Sequence, residues 1–140
     1  MKRYLLLLML IITSCNFGEQ EEVIEYPFSE LEISTVEMNK ENNALEASSE
    51  VKEIESYLKN LSNRELIKGK RLHGADRLCE VILKNNNGNI IIVFKSHKEE
   101  GITASFLKEN QADNFSHSLG RLYNADHLME LLQKSGLPCG

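Results

Sequence analysis

The sequence has little of what enzymes and nucleic-acid-binding proteins commonly use. It contains no tryptophan, and aromatic residues form only 6% of it, which argues against the base-stacking platforms that bind single-stranded nucleic acids. No two of its four histidines stand four residues apart, so the paired histidines of a zinc-binding helix are absent. It also has no Gly-x-Ser-x-Gly nucleophile motif and no glycine-rich phosphate loop. We therefore expect no cofactor, no metal ion and no nucleic-acid partner, and a non-enzymatic function is the first hypothesis.

The sequence also lacks an apolar run long enough to cross a membrane. Residues Tyr4 to Ile12 are apolar without interruption, whereas a membrane-spanning helix needs about 20 such residues. Lys2 and Arg3 precede this run. A basic start followed by a short apolar run is typical of a secretory signal peptide, which forms no part of the mature fold.

The apolar run ends in Ile12-Thr13-Ser14-Cys15, an aliphatic residue and two small residues before a cysteine. This tetrapeptide resembles the lipobox of bacterial lipoproteins, which the lipoprotein signal peptidase cleaves. The resemblance implies that residues 1–14 are removed and that Cys15 carries a thioether-linked diacylglycerol, often with a further N-acyl chain. Two or three acyl chains anchor a protein stably. A bacterial membrane, contacted through the lipid on Cys15, is therefore an expected partner, and the cell envelope is the expected location.

Charge is unevenly distributed along the rest of the chain. From Glu19 to Glu55 there are twelve glutamates against two lysines, whereas from Ser56 onward twelve lysines and arginines face nine acidic residues. Residues Asn16 to Glu22 are polar and acidic and show no periodicity, so they predict a solvated tether, for which we take residues 15–28 as the bounds. Residues 29–140 then form a single small domain.

The domain begins with a strand and a helix. Apolar residues alternate from Ser29 to Met38, and the slip in phase between Ile33 and Val36 indicates a bulge. The apolar spacing from Val51 to Leu61 predicts an amphipathic helix. Three residues can serve as its N-terminal cap: Asn43, Ser48 and Ser49.

A three-stranded meander is predicted next. Leu78–Lys84 and Asn89–Ser96 are strands joined by a turn at Asn85–Gly88, because an Asn-Gly-containing turn between β-branched runs is typical of a hairpin. A third strand, Gly101–Leu107, returns alongside. Residues Ile90–Phe94 are all apolar, which predicts a central strand covered on both faces.

The last third of the chain favours helix. A weak pattern in Asp113–Leu122 predicts a short helical turn that ends at Gly120. A final helix is predicted with Asn124 as its cap and with Gly136 as the left-handed residue that ends it. The expected fold is therefore α+β, in β-α-β-β-β-α order. A small antiparallel sheet, made of the N-terminal strand and the meander, is covered by two helices.

Two cysteines remain once Cys15 is acylated, Cys79 and Cys139. An exported protein meets conditions that allow disulfides, and Cys79 shares strand parity with the inward-pointing Val81. A bridge between them would stabilise the fold by about 4 kcal/mol. Cys139, however, follows the last helix, so the sequence leaves both the bridged and the free state open.

The connection between the helix and the meander is the most suggestive cluster of charge. Five basic residues lie between positions 64 and 77, and we call this stretch the basic segment: Arg64, Lys68, Lys70, Arg71 and Arg77. Only Glu65 and Asp76 oppose them, and loops on a rigid scaffold often carry recognition. The first hypothesis is a lipid-anchored binding module that holds an envelope protein or glycan through the sheet edge and this segment. One specific case is an inhibitor or immunity-type protein that neutralises a toxin or lytic enzyme.

Three alternatives remain open at this point. The simpler interpretation of the basic segment is a plain soluble connection, which the sequence favours over a binding role. An envelope hydrolase or metal-dependent enzyme would use His73, Asp76 and His97, if the fold brings them together. A structural lipoprotein that scaffolds an envelope assembly would need no site at all.

Overall fold

The computed structural model describes residues 28–38, 44–46, 48–61, 65–67, 73–109 and 116–139. The signal peptide, Cys15 and the tether before Phe28 lie outside these residues. The described elements, in chain order, are β1 (Ile33–Met38), β2 (Ala44–Glu46), α1 (Ser49–Asn60), β3 (Leu66–Ile67), β4 (Asp76–Asn85), β5 (Ile90–His97), β6 (Gly101–Glu109), β7 (Ser116–Tyr123) and α2 (Asp126–Lys134). Neither α1 nor α2 has the length and apolarity that a membrane-spanning helix requires.

The strands form one antiparallel sheet in the order β2-β1-β4-β5-β6-β7-β3. The apolar side chains of both helices share one buried cluster with side chains from a single face of this sheet. The expected α+β class is confirmed. The expected element order and the four-stranded sheet are wrong, because β2, β3 and β7 also join the sheet.

Strand β7 extends the expected three-stranded meander to four strands. The predicted helical turn in Asp113–Leu122 is wrong for the described part of that segment, which pairs with β6 from Ser116 onward. Gly120 lies opposite the fully buried Phe106 in this pairing and adopts a φ of 131°, which favours glycine. The register shifts immediately after Phe106, as at a β-bulge. Pairing with β6 therefore overrides a weak local pattern.

Two local predictions in the sheet are confirmed. The register between β1 and β4 shifts between Ile33 and Thr35, where the apolar phase slips. In the β4–β5 hairpin, Gly88 adopts a φ of 109° and donates its N–H to the carbonyl of Asn85 at 3.2 Å. A left-handed φ of this kind is readily adopted by glycine, which explains the residue at this turn.

Phe28 belongs to the domain rather than to the tether. Its side chain is fully buried and meets the ring of Phe106 edge-on, with 5.0 Å between the ring centroids. Leu31 then donates its N–H to the carbonyl of Phe28 at 3.2 Å, in a turn that precedes β1. The predicted boundary at Ser29 is therefore too late for the domain and too early for the strand, which begins at Ile33.

The N-terminus of α1 is capped by Ser48, one of the three candidate caps in the sequence. Its hydroxyl accepts a hydrogen bond from the N–H of Val51 at 3.4 Å. Farther along the helix, the Glu55 carboxylate accepts the N–H of Ile33 at 2.9 Å and the ammonium of Lys59 at 2.8 Å. Glu55 thus fastens the helix to the first residue of β1.

The start of α2 differs from the expectation. Asn124 does not cap the helix. It adopts a left-handed φ of 59°, and the N-cap position is Ala125, without a side-chain cap. The N–H of Ala125 instead donates to the carbonyl of Ile102 in β6 at 2.8 Å. A backbone contact with the sheet therefore fixes the turn where the sequence suggests a side-chain cap.

The end of α2 is as predicted. Gly136 has a φ of 86° and donates its N–H to the carbonyl of Gln133 at 3.0 Å. Leu137 donates to the carbonyl of Leu132 at 3.1 Å and is buried. These two bonds form the Schellman motif, in which a left-handed residue ends the helix.

The two faces of the sheet are built differently. β5 is the central strand, as expected, and its inward residues Ile92 and Phe94 are fully buried beneath the helices. On the opposite side, which we call the outer face, Ile91 and Val93 are only half-buried, and no described helix or strand packs over them. The expectation that β5 is covered on both faces is therefore wrong for the described residues.

Candidate functional site

The structure describes only part of the basic segment. Arg64, Lys68, Lys70 and Arg71 lie outside the described residues, whereas Arg77 is the second residue of β4. Arg77 lies opposite Lys95 of β5 and forms an ion pair with Glu80, three residues further along its own strand.

A short edge strand lies inside the basic segment. Leu66 and Ile67 form β3, which pairs with Leu122 and Arg121 of β7. β3 is the last strand in the sheet order, and no other described strand pairs with its outward side. Leu66 is 8% exposed and belongs to the core, so the edge is held in place by an apolar anchor. Two described residues within the basic segment, Leu66 and Ile67, therefore form an edge of the sheet.

The sequence signal for β3 is weak. Only the apolar pair Leu66-Ile67 interrupts a run of charged and polar residues, and two residues show no periodicity. The strand exists because β7 offers backbone partners, and β7 is itself difficult to predict. The sequence predicts a sheet edge and a basic segment, but it does not predict that residues of the basic segment form an edge strand.

His97 is the histidine on which the enzymatic alternative depends, and both of its ring nitrogens are engaged. Nε2 lies 3.0 Å from the carbonyl oxygen of His73, which can only accept, so Nε2 carries the proton. Nδ1 accepts the backbone N–H groups of Glu99 and Glu100 at 3.3 Å and 3.4 Å. The imidazole thus organises the turn between β5 and β6.

The other two residues of the enzymatic alternative, His73 and Asp76, contribute little to a catalytic or metal site. His73 approaches His97 through its backbone carbonyl, and its side chain is exposed. Asp76 is exposed at the start of β4, opposite Ser96. Throughout the described ranges, no group of three or more His, Cys, Asp or Glu side chains is arranged to hold a metal ion. The fold brings the three residues to one end of the sheet without assembling a catalytic group.

The structure joins Cys79 and Cys139 in a disulfide, with their Cα atoms 5.4 Å apart. Both residues are buried, at 8% and 1% exposure. The side-chain amide of Gln133 donates to the carbonyl of Cys139 at 2.6 Å. The bridge therefore links the inner side of β4 to the segment that follows α2.

A polar groove of about 480 Å³ lies at the hairpin end of the sheet. Its lining is hydroxyl, carboxylate, amide and a single ammonium group: Ser29, Glu30, Glu32, Lys59 and Asn85, Asn86 and Asn87. Small-molecule sites are usually lined by apolar and aromatic walls with a few polar groups. The groove has the opposite composition, so it is a poor candidate for such a site.

Tyr57 connects the two helices close to β3. Its ring meets the imidazole of His127 edge-on, at 5.2 Å between centroids. Burial raises the pKa of the Tyr57 hydroxyl above its ordinary value, and the negative charge of Glu65 raises it further. The phenol is therefore neutral at physiological pH and packs as part of the helix layer.

Comparison with known proteins identifies no relative. No family model, no curated protein and no solved structure matches this chain. A function is therefore inferred from its own residues and geometry.

Proposed function

We propose that the protein is a lipid-anchored lipoprotein of the bacterial cell envelope that acts as a non-enzymatic binding module. Its anchor would be the lipid on Cys15, for which the basis is the lipobox-like tetrapeptide ending at that residue. Residues 16–27 would serve as an acidic tether between membrane and domain.

The observation that carries the binding proposal is the position of β3. An edge strand presents backbone N–H and C=O groups to an extended partner, and the sequence places Lys68, Lys70 and Arg71 directly after Ile67. A partner with acidic groups, either an envelope protein or a glycan, would find hydrogen-bonding groups and positive charge at the same edge. The short length of β3 limits backbone pairing, so we assign most of the recognition to charge.

The disulfide supports location outside the cytoplasm. Disulfides persist in oxidising compartments and are rare in the cytosol. Cys79 and Cys139 are buried and joined, so a reduced form would leave two thiols in the core. An exported protein would meet the oxidising conditions that this bond requires.

The hydrolase or metal-dependent alternative has less support. A general base needs an available nitrogen, and a metal-binding histidine needs an available lone pair. Both nitrogens of His97 already bond to the backbone. The scaffold alternative and the specific case of an inhibitor or immunity-type protein rest on size and location alone, and no contact in the described residues favours either.

The anchor is tested on the membrane fraction of cells that express the full chain. Mass spectrometry of the N-terminal peptide should find diacylglycerol on Cys15, and Cys15→Ser should abolish both the modification and the signal-peptide cleavage. An unmodified Cys15 in correctly exported protein would contradict the anchor.

The binding surface is tested by crosslinking and pull-down from host envelopes. The triple variant Lys68→Glu, Lys70→Glu and Arg71→Glu should lose at least about nine tenths of the captured partner, because like charges would then face its acidic groups. The matched control reverses three exposed lysines elsewhere, Lys52, Lys108 and Lys134, and should capture the partner normally. Equal capture by both variants would remove the basic segment from the binding surface.

A further inference from the structure

We infer that the outer face of the sheet pairs with the outer face of a second copy of this chain, in a twofold symmetric dimer. This goes beyond the proposed function, because the centre of the surface lies on β4, β5 and β6 rather than on β3, and the partner is the protein itself. Three features carry the inference: an apolar centre, opposite charges at the two ends of the face, and an area that suits a weak dimer.

The centre of the outer face is a contiguous apolar patch, which we call the apolar band: Ile82, Ile91, Val93 and Leu107. Ile82 lies directly opposite Ile91, and Ile91 lies directly opposite Leu107, so the band crosses β4, β5 and β6 without a gap. These side chains are half-buried, and none of them is among the residues that pack against the core cluster beneath the helices. Contiguous exposed apolar patches of this kind mark interaction surfaces.

The end of the outer face nearest the β4–β5 turn is acidic. Cross-strand pairing and strand alternation place Glu46, Glu109 and Lys84 on this end. Glu37 lies one step nearer the centre, opposite Ile82, and its carboxylate reaches Lys84. Lys84 forms an ion pair with Glu37 at 2.6 Å, and Glu109 accepts a hydrogen bond from Asn89 at 2.8 Å. Three carboxylates therefore outnumber one ammonium.

The other end of the outer face is basic. Arg77, Lys95 and Arg121 lie there by the same register argument, together with Glu80. Arg121 donates to the hydroxyl of Ser105 at 3.1 Å and lies over the ring of Tyr123, so its guanidinium is held near the sheet. Three cations thus outnumber one carboxylate, and the face as a whole is neutral although the chain carries a net charge of −5.

This charge pattern selects one way of pairing two copies. A twofold axis that lies between the sheets and runs perpendicular to the strands superposes the basic end of each copy on the acidic end of the other. The same axis places one apolar band on the other. An axis parallel to the strands would place like charges together. Closed twofold dimers are the commonest symmetric oligomers, and stacked sheets pack about 10 Å apart.

The area available is near the lower limit for a specific dimer. The outer face spans five strands, β1 and β4 to β7, which are spaced about 4.8 Å apart and give a width of about 24 Å. Each strand contributes a length of about six residues, which is about 20 Å. Two copies would bury roughly 1,000 Å² in total, close to the smallest specific interfaces. The dimer should therefore be weak in dilute solution and favoured where a membrane anchor raises the local concentration.

The test uses the full chain expressed in a bacterial host, with the photoreactive amino acid p-benzoylphenylalanine in place of Ile82. Irradiation should give a species of twice the mass that contains this chain alone. The same probe at Lys52, which is exposed on α1, should give none. In the Ile82-probe background, Ile91→Glu should reduce the dimer at least about tenfold, because it places a charge in the apolar band.

A charge exchange separates loss of the interface from loss of the fold. Lys95→Glu should weaken the crosslink by adding negative charge to the basic end, and the double variant Lys95→Glu with Glu109→Lys should restore it. A crosslink to a different protein, a crosslink within one chain, or no crosslink would each overturn the proposal, as would failure of the double variant to recover the dimer. Loss of partner capture by the basic-segment variant would leave this result unchanged, so the two proposals fail independently.

Discussion

Ile91 and Ile92 are chemically identical neighbours on the central strand, yet they belong to two different environments. Ile92 is fully buried beneath the helices, whereas Ile91 is half-buried on the outer face. Alternate residues of this five-residue apolar run therefore lie on opposite faces, so that one set packs in the core and the other set forms part of the outer face. An apolar face in a sheet can mean either a second covering layer or a binding surface, and the flanking charges help to distinguish them.

The largest effect is expected from the disulfide, which fastens the inner face to the segment after α2. Replacing both Cys79 and Cys139 with alanine should lower the free energy of unfolding by up to about 4 kcal/mol, because the unfolded chain regains the freedom of a loop of 60 residues. Chemical denaturation of the oxidised wild type and the double variant measures this difference. Equal stabilities, or free thiols in protein purified without reductant, would contradict the bridge.

The neighbouring isoleucines provide the most direct comparison of the two faces. Ile92→Ala should destabilise the protein by about 3 kcal/mol, because it leaves a cavity in the core. Ile91→Ala removes the same atoms from the outer face and should cost less than about 1 kcal/mol in the monomer. Denaturant unfolding at low protein concentration isolates the monomer. Similar losses for both variants would mean that the outer face is covered within a single chain.

A smaller effect that depends on pH is expected at Glu55. Burial of its carboxylate raises the pKa, but hydrogen bonds from Lys59 and the N–H of Ile33, with the charges of Lys59 and Lys52, outweigh burial and lower the pKa below 4.5. The lowered pKa means that ionised Glu55 stabilises the fold at neutral pH, and that this contribution is lost as the pH falls through the folded-state pKa.

Glu55→Gln should therefore cost about 1 kcal/mol at pH 7 and much less near pH 3. Glu53→Gln, an exposed change on the same helix, is the matched control and should cost little at either pH. Unfolding curves at both pH values measure the difference. A cost for Glu55→Gln that stays constant with pH would show that the charge of the carboxylate is not what matters.

The smallest effect is expected from the ion pair between Lys84 and Glu37 on the outer face. Their side chains remain 46% and 32% exposed, so solvent screens the attraction. A double-mutant cycle with Lys84→Ala and Glu37→Ala should give a coupling energy of at most about 0.5 kcal/mol. A much larger value would indicate that this end of the outer face is buried from solvent.

The elements that the sequence predicts well are those in which local chemistry and tertiary packing agree. The helix from Ser49 to Asn60 has an apolar stripe and a serine cap, and the β4–β5 hairpin has a glycine at the left-handed position of its turn. The misplaced elements depend on partners distant in sequence. Gly120 lies in β7, which pairs with β6 opposite Phe106, and Ala125 precedes α2 with its N–H bonded to the carbonyl of Ile102.

The candidate site is less predictable than the fold. The basic composition of residues 64–77 is visible in the sequence, but the edge strand at Leu66–Ile67 within it follows from the pairing of β3 with β7. His97 looks like a potential catalytic base, because composition cannot reveal that its ring bonds to the carbonyl of His73. The apolar band is equally difficult to predict, because the sequence does not show whether the face that Ile91 and Val93 occupy is covered.

The position of β1 in the sheet has a consequence for the order of folding. Strands β4 to β7 form successive antiparallel pairs with neighbours in sequence, whereas β1 lies between β2 and β4, with Ile33 opposite Asn85. Closing a loop of about fifty residues costs more chain entropy than closing a hairpin, and distant pairings slow folding. The strand synthesised before the meander is therefore expected to pair after the meander has formed. Until β1 pairs with β4, Val36 and Met38 remain exposed. The nascent chain is therefore most vulnerable to aggregation before this pairing.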